Sequence, residues 1–229
     1  MSGSAVRDRL AIALDVGGLV EACRMAERVQ PWFGIAKVGY ELYAEAGPAA
    51  FDAMHNLGVR VFADLKLHDI PNTVARGARV LGRRGVDFLN FHAAGGVEML
   101  RAGVEGLKEG AADAGHEAPI ALGVTVLTSD ADASAFGQRL EWAAKAGCGG
   151  VVCSALEIAA VRTAGLRTMV PGIRVGAVTG DDQVRVATPD DAIRGGADWL
   201  VIGRPVTGAD DPAQAAAAIH ALVEGVLVS

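Results

Sequence analysis

Eight short apolar runs recur along the 229 residues, and most are followed by a stretch with helical spacing; few folds accommodate that alternation. The runs are Leu10–Asp15, Gly34–Val38, Val61–Lys66, Phe88–His92, Ile120–Thr125, Gly150–Cys153, Thr168–Pro171 and Leu200–Ile202. Each is brief, rich in β-branched residues and alanine, and followed by a Gly, Pro, Asp or Ser turn signal. Between them Val20–Val29, Ala49–Leu57, Val74–Arg84, Val97–Lys108, Ala135–Ala146 and Ala213–Val226 carry helical spacing. Eight β units alternating with helices predict an α/β chain closed into a parallel (β/α)8 TIM barrel. An open doubly wound sheet would usually show a glycine-rich dinucleotide loop after its first strand. Here Leu14-Asp15 is followed by Val-Gly-Gly-Leu-Val, which lacks that pattern. No linker or low-complexity stretch interrupts the alternation, so residues 1–229 read as one domain.

Composition narrows the function classes. A hydrophobic fraction of 51% is ample for one sizeable core, and the formal net charge is -6. With no basic tract to release counterions from a phosphate backbone, nucleic acid is not an expected partner. No run approaches 18 apolar residues, so no membrane span is expected. The stretch Met1–Asp8 lacks a basic-then-apolar leader, and Cys23, Cys148 and Cys153 are an odd set without metal-ligand spacing. Reduced thiols in a cytoplasmic protein are the expectation.

Side chains alternate along a strand, and the alternation sorts the charges. In the third run Val61, Ala63 and Leu65 share one face, while Phe62, Asp64 and Lys66 share the other. The apolar set suits burial under helices, so the charged set must face the barrel axis. Likewise Leu10, Ile12 and Leu14 point out and Asp15 ends the inward row; Ala36 and Val38 point out and Lys37 points in. Three strands thus each bring a charge inside near their C-terminal ends, where barrel active sites lie. Apolar packing would serve stability as well as a buried ion-pair network, so this row predicts function.

The segment Asp64-Leu65-Lys66-Leu67-His68-Asp69-Ile70-Pro71-Asn72-Thr73 resembles the active-site signature of the orotidine 5′-monophosphate decarboxylases. Shorter pieces extend the resemblance over nearly the whole chain: Ala13-Leu14-Asp15, Lys37-Val38-Gly39, Asn90 to Gly96, Thr125 to Ser129, Val151 to Ser154, Pro171 to Arg174, Asp182 to Pro189 and Val201 to Pro205. What the resemblance implies is a cofactor-independent decarboxylase of the nucleotide orotidine 5′-monophosphate, without a metal, acting as a homodimer with shared sites in the last step of UMP synthesis. It implies that Lys66 protonates C6 of the pyrimidine, that Asp64 sits beside the substrate carboxylate, and that Lys37 completes the row and contacts ribose. Asp15 would bind ribose hydroxyls, and Asp69 would reach the neighbouring subunit's site. Ile70 and Thr73 would line the pocket, and Thr128 would contact the pyrimidine. Gln183, Arg204 and the Gly203 backbone would hold phosphate, with Arg174 ordering the phosphate loop at 176–182.

The chemistry suits those residue types. Loss of CO2 from C6 leaves an electron pair in the ring plane, unable to delocalise into the π system. No motif for a pyridoxal, thiamine or metal electron sink is visible, which leaves fixed charges aimed at the developing anion. A lysine between carboxylates stays protonated and can then release its proton. Repulsion between Asp64 and the substrate carboxylate is a secondary contribution.

Other signals read as structural. His68 and His92 lack a third ligand at sensible spacing, and Ser129 and Ser154 lack His/Asp partners. Gly147 to Gly150 reads as a helix stop and turn. The competing readings are a metal-dependent phosphosugar barrel such as a keto-gulonate phosphate decarboxylase or hexulose phosphate synthase, less readily a ribulose-phosphate epimerase, and a catalytically silent binding barrel.

Overall fold

The structure is a computed structural model that describes residues 3–127, 129–130, 132–175 and 186–228. Eight parallel strands close on themselves in chain order: β1 Leu10–Ala13, β2 Ile35–Val38, β3 Arg60–Leu67, β4 Phe88–His92, β5 Ile120–Val124, β6 Gly150–Val152, β7 Arg167–Val170 and β8 Trp199–Ile202. The ring closes through β1 and β8, where Leu10 pairs with Leu200 and Ile12 with Ile202. The expected (β/α)8 barrel is the observed one. Each expected strand falls within about a residue or two of its place.

Residue alternation produces two apolar cores from one sheet. The outward row of Leu10, Ile12, Ala36, Val38, Val61, Ala63 and Leu65 packs beneath the helices in a large buried cluster. The inward row of Ala11, Ala13, Ile35, Phe62, Phe88, Leu122, Met169, Trp199 and Val201 fills the barrel axis in a second one. Phe88 meets both Phe62 and Trp199 edge-on, with centroids 6.3 Å and 5.0 Å away. Burying an aromatic side chain of this size contributes about 1.5–3 kcal/mol. Beneath this layer the Arg167 guanidinium stacks 4.9 Å from the Trp199 ring, and Arg60 lies 5.4 Å from that of Phe88. The floor of the barrel is therefore solid.

The helix Pro71–Arg83 follows β3 and packs tightly on Gly96–Asp113. Glycines set that closeness. A Cβ at Gly106 or Gly110 would lie well under 3.0 Å from the carbonyl oxygens of Ala75 and Arg79, and one at Gly82 would strike Leu107 O. The closest approaches of neighbouring backbone to a glycine are those between these two helices. Short helices at Tyr40–Ala46, Ile158–Thr163, Pro189–Arg194 and Arg204–Thr207 are additional to those expected from periodicity. No helix among the described residues is long and apolar enough to cross a membrane. No disulfide joins the three cysteines: Cys148 and Cys153 are buried and Cys23 half-buried. Burial pushes the Cys148 thiol up to about 12, leaving it protonated and unreactive near neutrality.

Candidate active site

The inward row ends at the C-terminal mouth of the barrel in a cavity of about 580 Å³. Phe62 floors it, Val124, Val126, Val152 and Val201 give it an apolar wall, and the opposite wall is ionic. Along that wall charges alternate. Lys37 Nζ lies 2.7 Å from Asp15 Oδ1 and 3.4 Å from Asp64 Oδ2, and Lys66 Nζ lies 2.6 Å from Asp64 Oδ1. The Lys37 and Asp64 side chains are only 10% and 15% exposed, so their attraction is screened far less than that of a surface pair. Lys66 is 26% exposed and borders the cavity.

Asp64 is pulled both ways. Burial pushes its carboxyl up, but the Lys37 and Lys66 ammoniums, with hydrogen bonds from Lys66 and Asn90, outweigh burial and hold it below the usual carboxylate range. It is a fixed negative charge at neutral pH. Tyr40 covers the pair: its hydroxyl donates to Leu65 O at 3.0 Å and its ring centroid lies 5.4 Å from Lys66 Nζ.

Simple alternation describes β3 only as far as Leu65. The β3–β4 register shifts between Ala63 and Leu67, and Lys66 adopts φ 44°, the left-handed region that a non-glycine residue seldom occupies. The bulge swings Lys66 over the cavity. Asn90, fully buried on the inward face of β4, bridges it: Oδ1 accepts the Lys66 N–H at 2.7 Å, and Nδ2 donates to Asp64 Oδ1 at 2.6 Å.

The opposite rim is built by the ends of β7 and β8. Pro171, Gly172, Arg174, Gly203, Arg204 and Thr207 border the cavity there. Gly203 caps the short helix Arg204–Thr207, with Pro205 in its first turn. A helix start of this kind presents backbone N–H groups to an anion. Arg174 is buried and its Nη1 donates to Ile173 O at 2.9 Å. Backbone bonds from Ala187 N to Gly172 O and from Arg174 N to Ala187 O pin the two ends of the segment between them. Residues 176–185, including Gln183, lie outside the described residues, as does Thr128.

Of the expected site residues, Asp15, Lys37, Asp64, Lys66, Arg174, Gly203 and Arg204 converge on the one cavity. Asp69, Ile70 and Thr73 do not border it. They are exposed beyond β3, where Asp69 Oδ1 accepts its neighbour Ile70 N at 2.6 Å and Thr73 borders a separate hollow with Arg76 and Val80. His68 and His92 stack, with centroids 5.4 Å apart, and His92 Nδ1 accepts from Ala94 N. Among the described residues no three His, Cys, Asp or Glu side chains group as a metal site would require. Sequence reasoning gave no role to Asn90 or Tyr40. The inward register that Asn90 shares with Phe88 was the available signal.

Comparison with known proteins adds the decisive observation: a model of the orotidine 5′-phosphate decarboxylase / HUMPS family matches residues 8–219. The chain belongs to that family. Its similarity to individual members is close. It is 46% identical over 236 residues to the orotidine 5′-phosphate decarboxylase of Moorella thermoacetica, covering 96% of this chain and 94% of that one. The enzyme of the same name from Nitratidesulfovibrio vulgaris strain DP4 is also 46% identical, over 95% and 98% of the two chains. Among solved structures, the orotidine 5′-phosphate decarboxylase of Lactobacillus acidophilus superposes with a TM-score of 0.82 at 33% identity, covering 94% of this chain and 99% of that one. The matched span includes the side chains that form the ionic wall of the cavity.

Proposed function

We propose that this chain decarboxylates orotidine 5′-monophosphate to UMP, with Lys66 supplying both the stabilising charge and the proton. The observation that carries the reading is the row Asp15–Lys37–Asp64–Lys66, half sunk in an apolar-walled cavity whose far rim carries an arginine and a helix start. The two ends suit the two ends of a nucleotide. Phosphate lies against Gln183, Arg204 and the Gly203 backbone, with Arg174 ordering the phosphate loop. Asp15 and Lys37 meet the ribose hydroxyls, and Thr128 meets the pyrimidine.

The chemistry then follows from charge. As the bond from C6 to its carboxylate breaks, CO2 departs with no extra charge and the electron pair stays on C6. The Lys66 ammonium lies against that position and stabilises the pair, then transfers a proton from Nζ to C6. Solvent restores the proton, so one proton is consumed for each UMP and CO2 formed. Asp64 holds the Lys66 ammonium in place before the step, and Lys37 keeps Asp64 ionised in turn. The protein dipoles are in place before the reaction, so little reorganisation opposes it.

The exposed loop Asp69 to Thr73 serves the cavity of a second copy, which makes the working unit a homodimer with shared sites. What supports this is the combination of a signature carboxylate with exposure away from its own cavity. The reaction takes place in the cytoplasm, a reading supported by cysteines that form no disulfide and by the biosynthetic role. The whole chain acts as one catalytic domain.

The test follows loss of the orotate chromophore on mixing purified protein with orotidine 5′-monophosphate, before and after exhaustive chelation. Turnover to UMP that survives chelation is expected. Turnover abolished by chelation and restored by magnesium would favour the metal-dependent phosphosugar branch of the family; no turnover would refute the proposal.

A further inference from the structure

Building on that reading, we propose that Asn90 is a positioning residue for the reaction: its carboxamide holds the Lys66 backbone in the left-handed bulge and sets the plane of the Asp64 carboxylate. Four observations converge. Asn90 is fully buried in the middle of β4, on the inward face between Phe88 and His92. Its Oδ1 accepts from Lys66 N at 2.7 Å, at the point where the β3–β4 ladder has lost register. Its Nδ2 donates to Asp64 Oδ1 at 2.6 Å, the same oxygen that Lys66 Nζ contacts at 2.6 Å. Lys66 itself sits at φ 44°, a conformation that persists only where its surroundings hold it.

The amide chemistry is specific to this place. One end must accept from an N–H and the other must donate to a carboxylate, so the orientation of the group is dictated by its partners. Aspartate keeps the acceptor but turns a second carboxylate toward Asp64. Leucine keeps the volume and loses both bonds. Glutamine is one methylene too long for a packed strand interior. Asn90 touches no reacting atom in this arrangement. It acts through the two residues that do, and a bulge that relaxes by about 1 Å at Lys66 would misplace the ammonium at a cost of about 100-fold in rate.

Purified wild type, Asn90→Ala and Asn90→Asp are compared by steady-state turnover of orotidine 5′-monophosphate, by UMP affinity, and by hydrogen exchange at the Lys66 amide. Asn90→Ala is expected to lower kcat about 100-fold, to change UMP affinity by less than about threefold, and to speed Lys66 amide exchange about tenfold or more relative to other β3 amides. Asn90→Asp carries a second signature that general destabilisation does not produce. As pH falls, one proton shared between the facing carboxylates restores a donor to Asp64, so its kcat relative to wild type rises. A folded Asn90→Ala protein with kcat within about threefold of wild type overturns the proposal. So does an unchanged Lys66 amide, or an equal loss of kcat and UMP affinity. Should Asn90→Ala not fold, Asn90→Asp decides alone: relative kcat flat or falling with acidification overturns it. Wild-type turnover, measured first, tests the reaction itself, whereas the exchange measurement tests Asn90 without reference to turnover.

Discussion

Replacing Lys66 by alanine isolates the group on which the reaction depends, and the structure bounds the cost. The ammonium already attracts the substrate carboxylate, so only the increment gained as charge moves to C6 accelerates the step. If that charge moves from about 5 Å to about 3 Å from Nζ at an effective dielectric near 20, the increment is about 2 kcal/mol. Loss of the proton donor removes a further factor of about 10²–10⁴. Together these predict a kcat about 10³- to 10⁵-fold lower for Lys66→Ala. The fold should survive, because Asp64 keeps Lys37 at 3.4 Å and Asn90 at 2.6 Å. The assay is stopped-flow or steady-state absorbance of the orotate ring, with circular dichroism and UMP binding as controls on the same samples. Lys66→Arg should fail as well, because guanidinium is bulkier and does not release its proton near neutrality. A folded Lys66→Ala protein retaining a tenth or more of wild-type kcat would show that neither the charge nor the proton comes from this side chain.

Three further outcomes follow from other parts of the molecule. Arg204→Ala should raise KM for the phosphorylated substrate about 10- to 100-fold with a smaller change in kcat, the loss of a charge-assisted pair at the rim; an unchanged KM removes Arg204 from phosphate binding. Gly110→Ala forces a Cβ into the carbonyl of Arg79, where backbone cannot yield, and should cost about 1–3 kcal/mol or more, lowering Tm by several degrees. Gly225→Ala, on the open side of the last helix with nothing within 4 Å, should leave Tm unchanged or slightly raised; equal effects at the two glycines would contradict the packing argument. Burial, with the charges of Arg139, His68 and Lys66, holds His92 below its ordinary value, so it is neutral at pH 7. Its contribution to stability is complete above the unfolded value near 6.5 and is lost as pH falls through the lower folded value. His92→Gln should therefore flatten the fall in Tm on acidification below about pH 6.5, and melting curves for the two proteins that stay parallel would argue against it.

The legibility of this molecule in its sequence follows physical lines. Strand positions were readable because both faces of every barrel strand are buried and apolar runs mark them directly. The inward placing of Lys37 and Asp64 was readable because alternation has a period of two and the apolar partners Ala36, Val38, Ala63 and Leu65 declare the outer face. Lys66 was placed on the correct side for an incomplete reason, since strict alternation takes no account of the bulge that turns it over the cavity. Asn90 carries no sequence signal of its own beyond register; its role exists only where β3 and β4 meet. The helices Tyr40–Ala46 and Arg204–Thr207 are too short for periodicity to reveal. Gly106 and Gly110 could not be distinguished by sequence from turn glycines, because their meaning depends on the carbonyls of a neighbouring helix. Asp69, Ile70 and Thr73 were recognisable only through family resemblance, and one chain in isolation leaves them turned outward.

The stacked floor has a consequence for traffic. Phe62 borders the cavity from below while Phe88 borders a separate hollow at the opposite end of the barrel, and the rings between them leave no passage. With Arg60 and Arg167 laid across the underside, the described residues leave the chamber open only at the C-terminal mouth. Nucleotide must arrive, and both gas and nucleotide must leave, through the mouth that the charged row guards.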